Sequence, residues 1–170
     1  EGLNIDARGL AYNAEDIRMT LNNLSFKEQS GFALRKVAGK FGIGTDEASI
    51  DGFQLITDNS QVAMQVSARY PSLKDIGNSW QEMFLDFTMT NSHIGLADVL
   101  LLNPTILDSL PLTLTPSQKV RVDADVKGHV DDLVIGKFGI SAFSGTRLDA
   151  SGKVKGRPDA EKLQLDLELD

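Results

Sequence analysis

Two histidines, His93 and His129, come first as candidates for chemistry, because the chain contains no cysteine. Metal binding needs several ligands at short fixed spacing, and neither histidine has a second ligand at such a spacing. Without cysteine there is no disulfide, thiolate nucleophile or zinc–cysteine site. Asp123, Asp125, Asp131 and Asp132 crowd one stretch. A calcium loop there would need the strict ligand spacing with its central glycine and terminal glutamate, and that full pattern is missing. Gly42 and Gly44 form a GxG, without the third glycine or the βαβ setting of a dinucleotide loop. Ser144-Gly145-Thr146 has no nucleophile-elbow pattern around it and reads as a hairpin turn. Asn23-Leu24-Ser25 meets the glycosylation pattern, a triplet that arises often by chance. No general acid and base stand at a workable spacing. The residues therefore point to a protein that is not an enzyme, with no metal and no cofactor.

The chain that carries these residues is 170 long, 41% hydrophobic and 24% charged. That composition excludes intrinsic disorder, which needs low hydrophobicity and high net charge. The net charge is −7. An acidic chain without a basic cluster is a poor nucleic-acid binder, because phosphate neutralisation needs grouped Lys and Arg. No apolar stretch approaches the ~20 residues of a membrane helix. The chain starts without Met and stops inside a strand-like run, Leu163 to Leu169. It reads as a piece of a longer polypeptide, whose anchor or signal would lie elsewhere.

The dominant pattern is period-two alternation, which sends successive side chains to opposite sheet faces. Val120, Val122, Ala124 and Val126 alternate with charged residues. Phe138, Ile140 and Ala142 follow, then Leu148, Ala150, Gly152 and Val154, then Leu163, Leu165, Leu167 and Leu169. Short connections between these runs predict an antiparallel meander. The N-terminal part follows the same plan with slips of parity. Ile17, Met19 and Leu21 give way to Leu24 and Phe26, so a β-bulge is expected around Asn22-Asn23. A second slip is expected near Arg35-Lys36. Asp58-Asn59-Ser60 reads as a tight turn before Val62, Met64, Val66 and Ala68. Ser72 to Glu82 has room for a loose helical turn. Leu85, Phe87 and Met89 form one more strand. Leu96 to Leu102 is a short helix stopped by Asn103-Pro104.

The organisation expected is a β-meander unit over 1–70, a connecting segment with a strand and a helix over 71–119, and a second meander over 120–170. The fold class is all-β: a long antiparallel meander curled into a β-taco or open groove-like sandwich, with one short helix. The apolar face is rich in Leu, Val, Ile and Met, and aromatics are only 6% of the chain. Such a lining suits acyl chains as well as it suits a core. On periodicity alone a plain core is the simpler reading, and a lipid groove is the alternative. The groove would be lined by Val120, Val122, Val126, Phe138, Ile140, Leu148, Val154, Leu163, Leu165 and Leu167. An exposed edge such as Leu163–Leu169 would favour self-association through terminal strands.

Several segments carry a family resemblance. Asp16 to Phe32, with Leu24-Ser-Phe-Lys-Glu-Gln-Ser-Gly31, resembles a segment of TamB-like proteins of the Bacteroidetes type. Leu55 to Val62 resembles their L-x-T-x-x-S step, and Ile94 to Asp98 with Pro104 their short helix before a proline. Gly128 to Leu133, Thr146 to Gly152 and Gly156 to Asp159 resemble their C-terminal repeat. The resemblance to this TamB-like and AsmA-like family implies an internal periplasmic segment of a long, inner-membrane-anchored envelope protein. It implies a trough that binds phospholipid acyl chains and carries lipid toward the outer membrane. It further implies outer-membrane protein assembly or secretion with an outer-membrane partner of the Omp85 class. A different class of reading is a structural scaffold, or a segment that binds β-strands by edge pairing.

Overall fold

The computed structural model describes residues 2–13, 15–103, 115–142, 145–155 and 164–169. Ten strands lie in one sheet in the order in which they occur in the chain, and every neighbour is antiparallel. They are β1 (Asn4–Tyr12), β2 (Asp16–Lys27), β3 (Ala33–Gly44), β4 (Glu47–Thr57) and β5 (Gln61–Arg69), followed by β6 (Phe84–Gly95), β7 (Lys119–His129), β8 (Asp132–Ala142), β9 (Thr146–Lys155) and β10 (Gln164–Leu169). Turns as short as Val130-Asp131 leave each strand no choice but to fold back on its predecessor. A helical stretch at 73–82, with α1 (Ile76–Ser79) at its centre, joins β5 to β6. Helix α2 (Leu96–Leu102) follows β6 directly. It ends where the Asn103 N–H bonds Val99 O (2.8 Å), one residue before the proline that bars continuation.

The stretches 1–70, 71–119 and 120–170 are thus parts of one continuous sheet. Strand β6, from the middle stretch, pairs with β5 on one side and β7 on the other. The sheet is open: among the described residues β1 pairs only with β2, and β10 only with β9.

Eight of the nine strand pairs carry a register shift, the exception being β9–β10. The slip expected at Asn22-Asn23 is one of them: Leu21 faces Gly39, but Leu24 faces Val37. The slip near Arg35-Lys36 is another, between β3 and β4. Two more shifts rest on left-handed backbone: Gly52 (φ 58°) between Ile50 and Phe53, and Asn91 (φ 51°) between Met89 and Ser92. Glycine and asparagine are the residues that take this conformation most readily. Each bulge bends its strand and tightens the right-handed twist. Repeated across the sheet, they curl it.

Among the described residues the buried apolar side chains are Ala33, Leu34, Tyr70, Leu96 and Ala124. Strands contact their sequence neighbours, and no second sheet of described residues packs on either face. This is one layer, without the sealed interior of two sheets stacked face to face.

Candidate functional site

Residues directly opposite in adjacent strands share a sheet face. Following that rule across the registers gives continuous apolar rungs. One runs Tyr12, Ile17, Ile43, Ala48, Ala68, Leu85, Gly128, Leu133, Val154 and Leu165, from β1 to β10. The next runs Met19, Phe41, Ile50, Val66, Phe87, Val126, Ile135, Gly152 and Leu167, from β2 to β10. The other face carries the intervening residues, for example Ser49, Ser67, Asp86, Lys127 and Lys153. On that face the Lys127 Nζ donates to Asp86 at 2.5 Å.

The lining residues read from the C-terminal alternation fall on the apolar face. Val122, Ile140 and Leu148 form one rung, and Val120 stands opposite Ala142. Phe138 lies between Ala124 and Ala150, and Val126 opposite Ile135. Val120, Val122, Val126, Phe138, Ile140 and Val154 are half-buried, and Leu148 is 40% exposed. Leu165 and Leu167 occupy register positions opposite Val154 and Gly152. Leu163 lies outside the described residues.

The N-terminal strands extend this face with Met19, Phe41, Ile50, Met64, Val66, Phe87 and Met89, none of which the C-terminal alternation alone would nominate. Their signal was the same alternation, broken by bulges. A hollow of about 480 Å³ opens here, lined by Leu10, Ile17, Met19, Phe41, Ile43, Ile50 and Val66 among others. Leu10 belongs to β1 and Val66 to β5, strands ~19 Å apart in a flat sheet at ~4.8 Å per step.

One end of this face is closed. Thr57, opposite Leu34, sits on the apolar side at the end of β4. Its hydroxyl donates to the Asp98 carboxylate of α2 (2.5 Å) and accepts from the Ser60 N–H (2.7 Å). The Ser60 hydroxyl and Asn59 Nδ2 donate to the same carboxylate at 2.5 and 2.9 Å. The Gly95 N–H in turn donates to Ser60 Oγ (2.9 Å). A Cβ on Gly95 would stand 2.4 Å from Asn59 Cβ, so only glycine allows this approach. Burial pushes the Asp98 carboxyl upward, but the bonds from Asn59, Ser60 and Thr57 outweigh it and hold it below the usual carboxylate range. Asp98, Thr57, Ser60, Leu34 and Leu96 are each buried at this end, and Ala33, next to Leu34 in β3, is buried on the other face. Ser92, also buried, accepts from the Ala63 N–H (2.9 Å) at the β5–β6 bulge, so its hydroxyl is satisfied on an apolar face.

The residues first weighed for chemistry are dispersed. His129 Nδ1 lies 3.2 Å from Glu82 O, with its ring edge-on to Phe84. His93 Nε2 is 3.5 Å from Lys119 Nζ. Gly42 and Gly44 are strand residues of β3. Asp123 accepts from the Asn91 N–H (3.2 Å), while Asp132 lies 3.7 Å from Lys155. No helix among the described residues is long and apolar enough to cross a membrane. Neither a family model, a curated protein nor a solved structure matches this chain.

Proposed function

We propose that this chain is a non-enzymatic lipid-conduit segment of a TamB-like envelope protein in the periplasm. In this reading the full-length protein is anchored in the inner membrane. Phospholipid acyl chains lie along the apolar face, and head groups stay at its polar rim. The observation that supports this reading is the run of apolar rungs across a single sheet on which no second sheet of described residues packs. An acyl chain laid on such a face leaves water at about 0.8 kcal/mol per buried CH₂, with no catalytic group required. Transfer toward the outer membrane, and assembly or secretion with an outer-membrane partner, follow from the family resemblance.

The test is a charge on the face. Val126 is half-buried in the second rung, between Phe87 and Ile135. In an open trough, the stem of Val126→Arg lies along the wall and its head stays wet. The variant should fold and lose phospholipid that co-purifies with the wild type, as counted by mass spectrometry of extracted lipid. A folded variant with undiminished lipid would sink the conduit role. A second reading, a scaffold that binds β-strands by edge pairing, is favoured by β1. Its outer edge has no partner strand among the described residues, and Leu3, Ile5, Leu10 and Tyr12 in and beside it are 59–78% exposed. Binding of an extended peptide that a proline at Ala7 abolishes, with lipid absent, would support that reading instead.

A further inference from the structure

Positive charge on the polar face collects at one end of the sheet. His93, Arg121, Ser141 and Arg147 form a single rung across β6, β7, β8 and β9. Lys119, two residues before Arg121 on the same strand face, stands beside them. Together with Thr146 they line a hollow of about 670 Å³ with no carboxylate in its wall, in a chain whose net charge is −7. Arg147 is paired with Asp149. Among the described residues Lys119 and Arg121 have no carboxylate partner. In the next acidic rung, Asp123 and Asp149 flank Gly139: Asp123 takes the Asn91 N–H, and Asp149 pairs with Arg147, which leaves Lys119 and Arg121 as the cations of the hollow without a carboxylate. Like charges on adjoining strands repel, so holding Lys119 and Arg121 beside Arg147 carries an electrostatic cost that an anion would relieve. His93 registers the field: burial, then Lys119 and Arg121, hold its imidazole below the usual histidine range.

We propose that this hollow binds a phosphate group. Arg121 offers a planar fork of donors, Lys119 a point charge, and Ser141 and Thr146 hydroxyls, a set that matches the oxygens of a phosphate. The phosphate could belong to a lipid head group or to a small soluble phosphate. The cations of the site lie on the face opposite the apolar rungs, with Thr146, opposite Ala142, bordering it from the strand end, so its failure would leave the conduit reading intact.

The experiment follows the His93 ring resonances of the whole chain by NMR. One arm titrates inorganic phosphate against chloride at matched ionic strength. The other measures co-sedimentation with vesicles of phosphatidylglycerol in phosphatidylcholine, against phosphatidylcholine alone. Inorganic phosphate should give a saturable shift. Its affinity should fall about tenfold or more in the folded Lys119→Gln/Arg121→Gln variant, equivalent to one lost charge-assisted bond. Arg121→Gln alone should give a smaller loss in the same direction. Lys153→Gln, on the same face but outside the hollow, should bind like wild type. Vesicle binding that requires phosphatidylglycerol and fails in the double variant assigns the head group. Saturation by inorganic phosphate without vesicle binding assigns a soluble phosphate. No saturable response to either probe, a response matched by chloride, or a folded double variant that binds like wild type would overturn the site.

Discussion

The end of the sheet at α2 and the middle of its apolar face are built from similar residues and behave differently. At the α2 end, Leu34 and Leu96 are buried, and a hydrogen-bonded carboxylate ties the helix to the β4–β5 turn. In the middle, Val122, Val126, Phe138 and Ile140 lie in unbroken rungs yet are only half-buried. The difference is not hydrophobicity. It is whether anything sits on top. A helix held by Asp98 caps one region, and no second layer of described residues lies on the other.

The contrast can be broken most severely with arginine. Leu34→Arg puts an unpaired charge into the closed end and should cost about 3–5 kcal/mol. Val126→Arg, on the open face, should cost about 1 kcal/mol, because its head reaches water. Urea unfolding of the two variants measures both values, and equal costs would mean that the two regions are alike. A methyl group sharpens the same point. Gly95→Ala meets Asn59 Cβ and backbone, which cannot swing away, and should cost about 3 kcal/mol. Gly77→Ala meets nothing within 4 Å and should change stability by about 0.5 kcal/mol or less, by the same measurement.

Asp98→Ala leaves the Thr57 and Ser60 hydroxyls without their acceptor, and about 2 kcal/mol should be lost. Hydrogen exchange should rise at α2 and the β4–β5 turn first, and less in β8 and β9. The pH dependence has a defined sign. The folded pKa of Asp98 is depressed, so its contribution is present above the unfolded value of about 3.9 and disappears as pH falls through the folded value. Asp98→Asn should therefore flatten the acid limb of stability below about pH 4, with little change in slope near neutrality. The smallest effect belongs to the polar face. Lys127→Gln breaks the ion pair with Asp86, whose side chains are 59% and 37% exposed, and should cost well under about 1 kcal/mol in a thermal melt.

Much of this architecture was readable in the residues, because alternation and its slips are local. The parity change from Leu21 to Leu24 located a bulge, and the run before Asn103-Pro104 located α2. Strand β1 was not readable. Asp6, Arg8 and the left-handed Gly9 break its alternation, and it is bent by two register shifts. The continuation of β6 past Met89 was hidden by the bulge at Asn91 for the same reason. The clasp at Asp98 depends on partners 38–41 residues away, and no spacing rule links positions so far apart. The Leu55–Val62 step and the Ile94–Asp98 segment are separate stretches of the chain; folding brings Thr57, Asn59 and Ser60 onto Asp98. Whether the apolar face was covered could not be read from alternation, which is identical for a core and a trough.

Openness of that face to lipid is the central claim, and strand register gives it a direct test. Photo-reactive side chains would be placed one at a time at Asp86, Phe87, Val126 and Lys127, on the protein incubated with phospholipid. Phe87 and Val126 are opposed on the apolar side, and Asp86 and Lys127 are opposed on the other. Lipid adducts at Phe87 and Val126, with few at Asp86 and Lys127, are the predicted result. Adducts at all four positions alike, or at none, would contradict it.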